Sequence, residues 1–126
     1  MGLTPGMVGT QRVAERAGPA RARELVMSAG VYDAATLERW NVVNRVVPDG
    51  DLEEKARAFA QRLAAGPTVA HAATKRMVRA FLEHGVRGAD ERAPDIVSPL
   101  FATQDLQRGV ESFLEEGPGK AIFEGR

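Results

Sequence analysis

The stretch GLTPGMVGTQR, residues Gly2 to Arg12, decides how the rest of the chain is read. It places three glycines, one proline and two threonines in eleven positions. Backbone of this kind takes turns and left-handed conformations that other residues resist. A loop so composed is shaped around a tight turn or a ligand. Everything after it reads differently: apolar residues recur at helical spacing, with glycine and proline as punctuation.

The pattern from Thr10 to Ala17 predicts a short helix, with Thr10 as its cap and Gly18 as its stop. Pro19 suits the first turn of a second helix, ARARELVMSAG, with Ala22, Leu25 and Val26 on one face and Gly30 at its end. Asp33 is placed to cap AATLERW, and Asn41 falls where a left-handed C-terminal residue is expected. VVNRVV, residues 42–47, is β-branched, is closed by Pro48-Asp49-Gly50, and predicts the one short strand. Asp51 and Glu54 have capping-box spacing. The helix after them carries Leu52, Ala56, Phe59, Ala60 and Leu63 on one stripe and stops at Gly66.

Pro67 starts a long helix with Val69, Ala73, Met77, Ala80 and Phe81 inward, ending near His84-Gly85. The next segment is weaker, because Pro99 inside a helix begun at Pro94 would cost ~3 kcal/mol. A kink or break is expected there. A last helix, from about Gln104 to Glu116, turns Leu106, Val110, Phe113 and Leu114 inward, and the tail GPGKAIFEGR is irregular. The fold class is therefore mostly α with one short strand. Two regions are expected, 1–66 and 67–126.

Bulk composition narrows the function. The chain has 126 residues, enough for one ordinary domain. Seventeen basic residues balance 17 acidic ones, which argues against a general nucleic-acid or anionic-membrane surface. There is no cysteine, so disulfides, thiolate metal sites and a cysteine nucleophile are excluded. No apolar run approaches the ~20 residues of a membrane span, and no signal-peptide pattern opens the chain. A cytoplasmic protein is expected.

No catalytic set emerges from the residues alone. His71 and His84 lack a carboxylate or second histidine at helical ligand spacing, so structural roles are favoured over metal or base roles. Lys75, Arg76 and Arg79 cluster on one side of their helix. A phosphate site there weighs less than a solvated face. GPGK in the tail is not a Walker loop: Leu114 stands where its first glycine belongs, and Ala121 follows the lysine. The carboxylates sit mostly at helix starts and on polar faces, with no acid–base pair to single out. Ser28, Ser98 and Ser112 lack nucleophile-elbow glycines.

Taken in order, five phrases resemble the crotonase family of enoyl-CoA hydratases and isomerases. Pro5-Gly6-Met7-Val8-Gly9-Thr10-Gln11-Arg12-Val13 is similar to P-G-x-G-G-T-Q-R-L. ARARELVMSAG is similar to the KARAKELLLTG helix. Leu37 to Pro48 is similar to A-x-R-W-G-L-V-N-R-V-V-P. ATKR follows at 73–76, and FATQD at 101–105 leads into GVESFLEEG.

The resemblance implies the C-terminal end of an α/β fold built from ββα superhelical turns, with helices after Pro67 that pack subunits into trimers. It implies CoA-thioester chemistry of fatty-acid metabolism, with the thioester as substrate and no cofactor. Gly6 matches a glycine whose N–H helps hold the attacking water. Pro5, Met7 and Val8 would line the acyl pocket, and Lys120 matches a tail lysine that reaches the CoA phosphates. The family's oxyanion-hole donors and both glutamates have no counterpart among these residues. The expectation is a fragment without hydratase activity of its own. Its expected partners are acyl-CoA, if another chain completes the site, and copies of itself or a crotonase relative. The alternative is a non-catalytic assembly or complementing subunit.

Overall fold

The computed structural model describes residues 2–7 and 9–126. Its contacts divide the chain into two compact units, Met1–Leu52 and Glu53–Arg126.

In the first unit, α1 (Gly9–Ser28) is two helices in one run. Gly18 interrupts it with φ 82° and ψ 162°, and Pro19 opens the second arm. The helix starts one residue before Thr10, whose hydroxyl is used elsewhere and does not cap it. Ala22 is buried, with Leu25 and Val26 half-buried beside it. The left-handed residue after α1 is Ala29, φ 50°, one position before the expected Gly30. Gly30 is needed for another reason: a Cβ there would lie 3.0 Å from the Tyr32 ring.

α2 (Ala34–Arg39) forms for the reasons legible in its sequence. Asp33 Oδ1 accepts the Thr36 N–H at 2.7 Å. At the other end Asn41 has φ 60°, the Asn41 N–H donates to Glu38 O (2.9 Å), and the Val42 N–H donates to Leu37 O (2.9 Å). That pair of bonds is a Schellman closure.

The predicted strand at 42–47 does not form; no strand occurs among the described residues. The donors of the segment are spent locally. Val42 and Val43 both donate to Leu37 O, and the Val46 N–H donates to Glu38 Oε1 at 3.0 Å. Arg16 adds a bond to Asn44 Oδ1 at 3.1 Å. β-Branched residues fit a strand only when a neighbouring strand takes their backbone groups, and here α2 takes them.

A 3-10 turn (Asp49–Asp51) at the end of the first unit leads into α3 (Leu52–Ala64), which runs on into the second, where the capping box was expected. All of α3 is exposed, its apolar stripe included. His71 lies with its ring against Gly66, where a Cβ would stand 2.6 Å from the ring. This contact fixes the junction into α4 and gives His71 a structural role.

α4 (Thr68–Val97) turns at Gly85, φ 71° and ψ −176°. Its arms, 68–84 and 86–97, form a hairpin with a seam of small residues. Ala73 and Ala80 of the first arm share one buried cluster with Ala89 and Ile96 of the second, and Met77 packs against it. Each pair is spaced by two helical turns, and alanine lets the backbones approach closely. Gly88 is the other requirement: a Cβ there would meet His84 Cβ at 2.4 Å. The segment after Gly85, expected to be weak, is thus a full helical arm with Pro94 inside it. The break falls at Pro99, in a 3-10 turn (Ser98–Ala102) whose Leu100 packs on the seam.

α5 (Gln104–Glu116) is capped by Thr103, which accepts the Leu106 N–H at 3.2 Å and donates to Leu100 O at 2.7 Å. Its expected inward residues, Leu106, Val110, Phe113 and Leu114, are exposed, Leu114 to 77%. Val69 and Phe81 of α4 are likewise exposed. Within the second unit these faces stay largely exposed, with Phe123 of the tail lying against α5 at Gly109.

Candidate functional site

The loop singled out from sequence is held to the start of α1 by one residue. The Pro5 carbonyl accepts both the Thr10 N–H (3.2 Å) and the Thr10 hydroxyl (3.1 Å). Gly9 brings the helix start close: a Cβ there would lie 3.1 Å from Pro5 Cβ. The Gly6 N–H donates to Thr4 O at 2.8 Å, closing a three-residue turn. Met7 is 94% exposed and Leu3 87%. Pro5, Gly6 and Met7 are therefore together in one turn, and Val8 lies outside the described residues.

Residues 2–10 contain no titratable side chain. The loop can present apolar surface and backbone N–H groups, but it cannot take or give a proton. The nearest charge in sequence, Arg12, is paired with Glu15 at 3.0 Å. On the second arm of α1, Arg21 lies 4.4 Å over the Trp40 ring, and Tyr32 packs on Trp40 at 4.8 Å. Sequence reading missed this cluster; Arg21 and Trp40 are 19 positions apart and nothing in their spacing links them.

Lys120 is exposed and belongs to the second unit, in the tail after α5. Of the basic cluster on α4, Arg79 is ion-paired with Glu83 at 2.8 Å. The Arg79 hydrogen bond holds the Glu83 carboxyl below its usual range. That pairing weakens the case for a phosphate site there.

The second unit also holds a groove of about 500 Å³, lined mainly by Val69, Leu100, Leu106, Val110, Phe113 and Phe123. Its size suits a small ligand. Its polar lining groups, Thr103 and Asp105, are engaged in bonds of the fold. It is an apolar surface without free polar anchors. Its α5 part is legible in the sequence as an inward face, whereas no sequence signal points to the tail residue Phe123.

The family model for enoyl-CoA hydratase/isomerase matches residues 1–126. The chain belongs to the enoyl-CoA hydratase/isomerase family. It is 36% identical over 120 residues to a probable enoyl-CoA hydratase of Mycobacterium bovis, covering 92% of this chain and 45% of that relative. A short-chain-enoyl-CoA hydratase of Clostridioides difficile is 29% identical over 113 residues, covering 90% of this chain and 73% of that relative. The fold is similar to that of a crystallised enoyl-CoA hydratase subunit of Geobacillus kaustophilus, with a TM-score of 0.90 at 32% identity. That match covers 99% of this chain and 48% of the other. The chain spans about half the length of most of the curated relatives it matches. Its helical architecture fits the helical part of such enzymes. No helix among the described residues is long and apolar enough to cross a membrane.

Proposed function

We propose that this chain supplies the acyl-pocket loop and the helical end of an enoyl-CoA hydratase-type fold, and that these 126 residues do not hydrate an enoyl-CoA thioester by themselves. One observation carries the reading: the family match runs through all of residues 1–126, yet the loop that this reading assigns to the pocket has no group that moves a proton. Hydration needs a base for water, an acid for the α-carbon and donors for the thioester oxygen. In this reading Pro5, Met7 and Val8 line the acyl pocket, and Lys120 meets the CoA phosphates. Gly6 serves the water only once its N–H leaves Thr4 O. The setting is cytoplasmic acyl-CoA metabolism. The test is incubation of the purified chain with crotonyl-CoA, following loss of the enoyl absorbance. No turnover above the protein-free rate is expected; turnover above it overturns the proposal.

A second reading, a non-catalytic assembly or complementing subunit, is favoured by the exposed apolar faces of α3 and α5. Co-purification with a crotonase relative, or activity appearing on mixing the two, supports it. A monodisperse monomer indifferent to such a relative counts against it.

A further inference from the structure

The C-terminal residues run back onto the start of α5, and the contacts converge on one side chain. Asp105 is 2% exposed. Its Oδ1 accepts the Glu124 N–H and its Oδ2 the Gly125 N–H, each at 2.8 Å. Its own N–H donates to Arg126 O at 2.9 Å. Arg108, one turn further along α5, lies 3.6 Å from Asp105 Oδ1 and 2.9 Å from Glu124.

The same tail residues shape the groove. Phe123 forms part of its wall and lies over Gly109, where a Cβ would be 3.5 Å from the ring. Gly125 has φ 77°, and a Cβ there would stand 2.6 Å from Thr68 Oγ1, so only glycine lets the tail pass. Upstream, Gly117 (φ 87°) and Gly119 (φ 79°) give the segment pivots with no side chain to obstruct them.

We propose that residues 117–126 form a strap latched by the Asp105 carboxylate, and that unlatching swings Phe123 away and opens the apolar groove. The charged groups facing Asp105 are Arg108 from its own helix and Glu124 and Arg126 from the tail. Neither the start of α4 (67–70) nor the 3-10 turn (98–102) presents a titratable side chain. Neutralising the carboxylate removes the negative charge on which the tail's backbone N–H groups and one guanidinium converge, and leaves the strap the Asp105 N–H bond to Arg126 O and the partly exposed Arg108–Glu124 pair, a weak tie. The Glu124 N–H, followed by those of Gly125 and Arg126, holds the carboxyl below its usual 3.8, so the latch is closed at neutral pH.

The test compares the full chain with Asp105→Asn, Phe123→Ala and Gly125→Ala. Three readouts are used: amide hydrogen exchange at Glu124 and Gly125, fluorescence of an anilinonaphthalene sulfonate probe, and far-ultraviolet circular dichroism. With helix content unchanged, Asp105→Asn should speed exchange at both amides at least tenfold and raise probe fluorescence several-fold. Phe123→Ala should raise fluorescence while the amides stay protected, since Asp105 binds backbone there. If Asp105→Asn loses its helices, Gly125→Ala decides, because it strains the strap and leaves α5 intact. It should speed exchange at Glu124 and raise fluorescence. Unchanged exchange in a folded Asp105→Asn overturns the latch, as does unchanged exchange in Gly125→Ala where that variant decides. Unchanged fluorescence in Phe123→Ala overturns the cover.

Discussion

Replacing Gly85 with alanine isolates what the α4 hairpin demands of its turn. Gly85 holds φ 71° and ψ −176°, a region that L-residues with a Cβ scarcely enter. No atom lies within 4 Å of the position a Cβ would take. The cost is therefore one of backbone conformation, about 1–3 kcal/mol, against which a stiffer unfolded chain returns about 0.4–1 kcal/mol. The net expectation is a loss of about 1–2 kcal/mol, or roughly 4 °C in Tm for each kcal/mol. Gly109 is the matched control in the same unit. It lies inside α5, and its added Cβ would meet only the Phe123 ring, at 3.5 and 3.9 Å. There the identical change should stabilise by about 0.5–1 kcal/mol. Urea unfolding followed by circular dichroism measures both. If Gly85→Ala matches or exceeds the parent while Gly109→Ala gains, the hairpin does not depend on a glycine turn.

Two further outcomes follow from the seam and the carboxylates. Ile96, 6% exposed, is the only large side chain in the buried cluster of α4, so Ile96→Ala should cost about 2–4 kcal/mol. Ile122→Ala, at 82% exposure, should stay within ~0.5 kcal/mol, and equal losses at the two positions in urea titrations would refute this picture of the core. Acid should destabilise the fold, because Asp33, Glu83, Asp105 and Glu124 are all held below their usual values, Asp33 by Thr36 and Glu124 by Arg108. A depressed folded pKa contributes stability that is present above the usual 3.8 (Asp) or 4.5 (Glu) and is lost as pH falls through the folded value. Unfolding free energies should therefore hold from neutral pH to about 5 and drop below it, with a shallower drop in Asp105→Asn; a flat profile down to pH ~2 would contradict the assignment.

Local signals in the sequence were read where their physics is local. Gly18 with Pro19, Asp33 as a cap, Asn41 in the left-handed region and Gly85 as a stop each need only the residue and its neighbours. The strand at 42–47 failed because its backbone donors depend on a partner. Leu37 O and Glu38 Oε1 took them, and β-propensity carries no information about that competition. The arm after Gly85 was underrated for a similar reason. Pro94 is tolerated inside it, and the seam through Ala89 and Ile96 supports a segment whose propensity is poor. The latch and the tail's share of the groove were not legible at all: Asp105 and Gly125 are 20 positions apart, and an aspartate in the first turn of a helix looks like any other dipole partner. Of the loop, the sequence told its composition, and the structure added that Thr10 ties it to α1 through Pro5 O.

The distribution of apolar surface bears on which functional reading is stronger. The hairpin seam buries three alanines and one isoleucine, a small apolar area for a chain of this size. Meanwhile α3 exposes Leu52, Phe59 and Leu63, and α5 exposes Val110, Phe113 and Leu114, in stripes at helical spacing. Solvent-facing helices have no use for such stripes, since scattered apolar residues would serve equally well and a contiguous band invites association. The periodicity is thus evidence of burial that the second unit does not itself provide. It agrees with a chain that spans about half the length of most of its relatives and shares their fold over almost all of its own length. An isolated catalyst would have to maintain these bands against aggregation for no return, whereas a part that packs against further protein uses them directly. The apolar faces therefore weigh toward the assembly reading, and the mixing experiment with a crotonase relative is the measurement on which it stands.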